Sequence, residues 1–328
     1  MEKLRQQVKK ILRQRSDPLN IRRSTAEVVG QFRFVSINPE KLQSFATKIK
    51  RRIANGQLLS EDQFGARNVD IQRVFFQDVV NFCFWAPAGK QKWSIEYPPG
   101  THVDGWNALV ACFDRALEEG YPIFDATFLA GLTLETATHI FRSVDETPIP
   151  LLGERIQSLR EAGDILQRDF NGQFANAVKA SSYHADALSQ LIISEFPSFS
   201  DSRMLNGKKV NFFKRAQICA YDISLLPDTH VDNIDQLTVF ADYKLPQVFR
   251  SVGIVEYTPM LARKIDSLSL VPEGNREEIE IRAATIWVGE LLADILNISP
   301  ALVDNAVWLF STQVPSKFPY HRTLTTSY

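Results

Sequence analysis

The chain has 328 residues, 45% hydrophobic and 23% charged, with 22 Phe and 5 Trp and a formal net charge of −1. That makeup belongs to a protein with a large core, and it excludes both a disordered chain and a general polyanion binder, since no net field draws nucleic acid in. The three cysteines, Cys83, Cys112 and Cys219, stand far apart in apolar contexts, which points to reduced, buried thiols in a reducing compartment and away from a disulfide framework or zinc site.

The first 23 residues carry eight Lys or Arg beside Leu4, Val8, Ile11 and Leu12 on one helical face. Glu2 and Asp17 interrupt that charge run, so a solvated helix packed by its apolar stripe is expected in preference to an organelle-targeting or membrane-surface helix. The N-terminus lacks the apolar core and cleavage site of a secretory signal, and no apolar run approaches the length of a membrane span. A cytoplasmic protein with nuclear access and no membrane partner is the expectation. Ser24-Thr25-Ala26-Glu27 reads as a capping box opening a short helix, and Pro39 with Leu42, Phe45, Ala46 and Ile49 has helical spacing. Ile71 to Trp85 places Val74, Phe75, Val79, Phe82 and Trp85 at helical steps and predicts one buried helix ending near Pro87. Trp93 to Tyr97 alternates apolar and polar before Pro98-Pro99-Gly100, which predicts a small β-hairpin.

From Trp106 the pattern is helical until Gly120, and further helices are predicted at 134–143, 151–170, 182–196, 212–224, 246–252, 258–267, 277–297 and 300–311. The clearest is 277–297, with a capping box at Asn275-Arg276-Glu277-Glu278 and one wide apolar stripe through Ile281, Ala284, Trp287, Val288, Leu291 and Leu292. The predicted fold class is mainly α: a single helical domain over residues 25–328 with one or two short β-hairpin elements, preceded by a basic helical extension at 1–24. The absence of alternating strands and helices argues against a doubly wound nucleotide-binding sheet.

Gly-rich phosphate loops, Gly-x-Ser-x-Gly, His-Glu-x-x-His and Cys-x-x-Cys are all missing, and the five histidines are remote from one another. Neither a metal nor a cofactor is expected. What remains is three segments of carboxylates, cations and rings. In Phe240-Ala241-Asp242-Tyr243-Lys244-Leu245-Pro246, Pro246 suits the first turn of a helix and Asp242 lies just before that helix. Its ordinary use there is as a cap; alternatively the helix terminus lowers its pKa and leaves an ionised carboxylate between two rings, suited to stabilising a cation or orienting water and unsuited to donating a proton. In Asn211-Phe212-Phe213-Lys214-Arg215, two adjacent cations point in different directions on a helix. Only one of them can face a pocket and pair with a phosphate, the other being solvated; absent a pocket both are surface charges. In Val303-Asp304-Asn305-Ala306-Val307-Trp308, Asp304 is either on a wet face or held to accept from a guanine-like N1–H and amino group. Near the end, His321 in Pro319-Tyr320-His321-Arg322 offers a donor for an anionic ligand.

These segments, in this order, resemble the queuosine salvage protein family. The likeness extends to Gln72–Trp85, Gly105-Trp106, Ala116–Gly120, Glu195–Phe199 and Glu280-Ile281-Arg282, and so to roughly residues 25–328. The resemblance implies a fold like helical DNA glycosylases and hydrolysis of the N-glycosidic bond of queuosine 5'-monophosphate, with the nucleoside as a further candidate, releasing queuine. By the same resemblance Asp242 is the catalytic carboxylate, Phe240 and Tyr243 line base and ribose, Lys214 meets the 5'-phosphate and Asp304 contacts the base. Asn305, Phe199, Asp201, Arg215 and His321 complete the implied substrate contacts. Family members often carry a second carboxylate where this chain has Leu309. The expected partner is a small molecule, with no stable nucleic-acid complex and a monomeric state. A non-catalytic carrier of queuine or its nucleotide is the alternative, and a helical nucleic-acid-binding protein related by fold alone is a third reading.

Overall fold

A computed structural model describes residues 2–58 and 69–328. Fifteen α-helices and three two-stranded antiparallel sheets make up its regular structure among these residues, the mainly α fold expected. One hydrophobic cluster runs from Leu4 to Tyr328.

The organising element is the helix Arg276–Leu296, in which every residue from Glu277 to Ala293 is buried. A helix covered on all sides is the core element that its wide apolar stripe led us to expect, and its charged residues must be satisfied internally. Glu290 pairs with Arg22 at 2.9 Å and Arg15 at 2.7 Å. Glu280 accepts from the backbone N–H of Arg33 and Phe34, which delivers the strand Val35–Ile37 to its partner Val255–Tyr257. Gly289 matters for the site: a Cβ there would lie 2.2 Å from Val239 Cγ1. Its absence lets the extended chain leading into Phe240 lie directly against the central helix.

Two local expectations change, and the packing of the basic N-terminal helix follows the expected apolar stripe. The helix Ile21–Val29 begins before the Ser24–Glu27 box, because Asp17 accepts from the N–H groups of Arg22 and Arg23 while Ser24 and Thr25 bond back to Ile21 O. The basic helix Glu2–Gln14 packs on the core through Leu4, Val8 and Ile11. The helix from Ile71 stops at Val79, not Trp85. Beyond it the carbonyls are taken by buried cations: Arg215 donates to Val79 O at 2.5 Å, Lys214 to Asn81 O at 3.1 Å, and Arg155 to the carbonyls of Val80, Phe82 and Cys83. These donors outcompete helix continuation for the same acceptors. The predicted hairpin is present as Ser94–Glu96 paired with His102–Asp104. A second hairpin, Ser202–Leu205 with Lys208–Asn211, and the short helices Ala126–Ala130 and Phe174–Ala180 add to the predicted set. No single helix among the described residues is long and apolar enough to cross a membrane.

Candidate active site

A cavity of about 220 Å³ opens where five pieces of chain meet, with Lys92 and Tyr328 added from elsewhere: the extended segment after Val79, the start of the helix Gly105–Glu118, the start of Lys214–Ser224, the segment Phe240–Lys244, and the inner face of Pro300–Gln313. Phe82, Phe84, Trp106, Phe240, Tyr243 and Trp308 supply its rings, and Asp242, Asp304 and Lys214 its charged groups, with Lys92, Lys244 and Asp104 also on the wall. Among the described residues no group of three or more His, Cys, Asp or Glu is placed to hold a metal ion.

Asp242 is built into this cavity by the helix it precedes. Its Oδ1 accepts from the N–H groups of Lys244 (2.8 Å) and Leu245 (3.0 Å), and no hydrogen bond from a described residue reaches Oδ2. The capping role and the pocket role are therefore served by different oxygens of one carboxylate. Burial nevertheless pushes the Asp242 pKa up from its ordinary value, against the pull of Lys214 and those two N–H groups. This corrects the expectation of a lowered pKa: the helix terminus acts in the direction foreseen, but loss of water outweighs it.

Asp304 is buried, and its Oδ1 accepts from Phe240 N at 2.7 Å. That single bond fixes the segment carrying Asp242 to the Pro300–Gln313 helix. Burial and the neighbouring Asp242 hold Asp304 well above the carboxylate range. At Asp242 Lys214 and two N–H groups oppose the rise, and at Asp304 the Phe240 N–H and Lys214 oppose it. Lys214, pulled below the ordinary amine range by burial, is opposed mainly by Asp242 and Asp78; burial pushes Asp78, just behind it, up to about 7. Asn305 donates to Tyr221 OH at 3.1 Å, and Tyr221 meets the Phe240 ring.

A family model for the queuosine salvage protein matches residues 63–328. The chain belongs to the queuosine salvage protein family. It is similar to proteins named queuosine 5'-phosphate N-glycosylase/hydrolase from several organisms. That of Sphaerobacter thermophilus is 37% identical over 324 residues, spanning 95% of this chain and 98% of the relative. That of Mus musculus is 36% identical over 278 residues (79% and 82%), and that of Dictyostelium discoideum 30% over 334 residues (94% and 98%).

Of the residues singled out by resemblance to the queuosine salvage family, the fold gathers Phe240, Asp242, Tyr243, Lys214, Asp304 and Asn305 around one cavity. Four others lie outside its wall. Phe199 and Arg215 stack on each other, 4.7 Å from guanidinium carbon to ring centroid, and Arg215 is buried where solvent exposure was expected. The carbonyls of Val79 and Ser198 accept from its two terminal nitrogens in place of water. Asp201 is locked to Arg282. His321 is buried against Tyr328, 3.2 Å from its hydroxyl, and burial lowers its pKa to about 3, so it is neutral and carries no charge for an anion. Lys92, Trp106 and Trp308 also line the cavity; Trp106 lies in Gly105-Trp106 and Trp308 ends Val303–Trp308, so a local signal was present for both. Lys92 had no local signal, being brought to the wall by the hairpin and its bond to Asp104 at 2.6 Å.

Proposed function

We propose that this protein hydrolyses the N-ribosidic bond of queuosine 5'-phosphate and releases queuine, with Asp242 as the catalytic carboxylate. The observation that carries the reading is the Asp242 geometry: one oxygen is pinned by two backbone N–H groups at a ring-lined cavity and the other is left for substrate. Cleavage of an N-riboside develops positive charge on the ribose. An ionised Asp242 close to the anomeric carbon stabilises that charge and takes a proton from the attacking water, whose oxygen forms the new bond to carbon as the bond to nitrogen breaks. Lys214 favours the ionised form and so works with catalysis, not against it.

The departing base is a 7-deazaguanine, which has carbon where guanine offers N7, so the electron pair it carries away must be stabilised at its O6, N1 or N3 edge. A proton-bearing Asp304 is suited to donate there, and the rings of Phe240 and Trp308 to hold the base plane. With Lys214 Nζ donating to Asn81 O, the 5'-phosphate is assigned to Lys92 and Lys244, which lie on the cavity wall. Leu309 offers no polar group, which leaves the base contacts to Asp304 and Asn305.

Incubation of purified protein with queuosine 5'-phosphate, followed by chromatography, tests the reading. Turnover to free queuine is expected; intact nucleotide after hours, with a raised melting temperature, would instead support the carrier reading.

A further inference from the structure

Asp242 and Lys214 sit on segments far apart in sequence, and one fully buried side chain reaches the scaffolding of both. Arg282, near the middle of the central helix, donates Nε to Ala241 O at 3.0 Å, one residue before Asp242. Its two terminal nitrogens reach Asp201 Oδ1 and Oδ2 at 2.7 and 2.6 Å. Asp201 in turn accepts from Lys214 N at 3.1 Å through Oδ2, and from the N–H groups of Phe212 and Phe213 at 3.0 and 3.2 Å through its main-chain oxygen. The guanidinium also packs on Phe212 and on the cavity-lining Tyr328, 4.0 and 4.4 Å from their ring centroids. Tyr328 OH and the Arg282 guanidinium share Glu278 Oε1.

We propose that Arg282 is a positioning residue that sets the separation of Asp242 and Lys214. A buried ion pair often does no more than fill a core. This one differs because its planar fork spends one edge on the main chain before Asp242 and the other on the carboxylate that caps the Lys214 helix, a task a lysine cannot copy. Arg282 does not itself line the cavity. The proposal rests on Asp242 being the catalytic carboxylate.

If the fork fixes that spacing, loosening it weakens the attraction of Lys214 for the ionised form of Asp242, and Asp242 holds its proton to higher pH. The other groups bearing on Asp242 are Lys244 on the helix it caps, Asp304 on Pro300–Gln313 and Tyr243 beside it; Lys214 also feels Asp78 and Arg215. None of these touches Arg282, so they stay in place when the fork is altered.

The test uses Arg282→Lys and Asp201→Asn in the full chain, with Arg15→Ala, which removes one partner of the buried Glu290 on the same helix, as a control for buried-charge destabilisation. Aspartate carboxyls labelled with carbon-13 are titrated by NMR in ligand-free protein, Asp242 being assigned by the signal lost in Asp242→Asn. In both test variants the Asp242 midpoint is expected to rise by roughly one pH unit, the low end of what one nearby opposite charge is worth. The acid limb of kcat should move with it, kcat falling about tenfold while KM stays within about twofold, as misplacement of a catalytic group affects the chemical step. The control should lose stability without moving either readout. Should Arg282→Lys fail to fold, Asp201→Asn alone decides. Test variants that fold, lose stability as the control does and keep the wild-type midpoint and acid limb would overturn the proposal. Absence of hydrolysis by the wild type would overturn the catalytic reading instead, and the NMR titration would still judge the positioning role.

Discussion

Replacing Asp242 by Asn separates its two duties, because an amide oxygen can still accept from the N–H groups of Lys244 and Leu245 while the charge is lost. The cap survives, and with it the start of the helix Lys244–Ser251. Losing one well-placed electrostatic group in a transition state costs about 2.7–4 kcal/mol, so kcat is expected to fall roughly 10²–10³-fold. Stability should move the other way. Asp242 is protonated at higher pH in the folded chain than in the unfolded one, since burial raises its pKa. Ionising it therefore opposes folding at every pH above the folded value, an opposition that vanishes below the unfolded value. Asn removes that term, so Asp242→Asn should melt at or above the wild-type temperature at pH 8 and lose this advantage as the pH drops below the ordinary carboxylate range. Single-turnover kinetics and thermal denaturation at the two pH extremes measure both sides. A variant that keeps wild-type turnover would show Asp242 to be a helix cap only.

Asp304→Asn, which keeps an acceptor for Phe240 N and gains an amide donor, should reduce kcat by no more than about tenfold. Asp304→Leu leaves a buried N–H unsatisfied and should also cost about 1–3 kcal/mol of stability, measurable by denaturant titration. Lys92→Ala and Lys244→Ala should each lower kcat/KM for the nucleotide by roughly 10- to 100-fold, in line with about 1.5–3 kcal/mol for a hydrogen bond to a charged group, and leave the nucleoside almost unaffected. Equal losses on both substrates would move the phosphate elsewhere. Gly289→Ala forces a methyl against Val239, so a loss of about 1–3 kcal/mol is expected. Its rescue by Val239→Ala, followed by thermal denaturation, tests whether that close approach is what seats the Phe240–Asp242 segment.

Much of the architecture was legible because it is written in local periodicity. The helices at Arg276–Leu296 and Pro300–Gln313 and the hairpin before Gly105 carry their own spacing and capping residues. What escaped depends on partners distant in the chain. The helix from Ile71 looks continuous to Trp85 until Arg155, Lys214 and Arg215 arrive to take its carbonyls. Arg215 reads as a surface charge until Phe199 and two carbonyls enclose it, and Asp201 reads as a ligand contact until Arg282 is seen to claim both oxygens. Asp242 shows the same division: the helix terminus that lowers its pKa lies two residues away in sequence, whereas the burial that raises it is assembled from distant parts of the chain.

The central claim is that Asp242 faces the anomeric carbon of a bound nucleotide. A crystal structure of the Asp242→Asn protein with intact queuosine 5'-phosphate tests it most directly. The ribose C1' is expected at position 242, with the side chain or one ordered water roughly 3–3.5 Å from that carbon on the face opposite the base, the base edge at Asp304 and the phosphate between Lys92 and Lys244. A nucleotide bound with its phosphate or base edge at position 242, and C1' out of reach of that side chain, would contradict it.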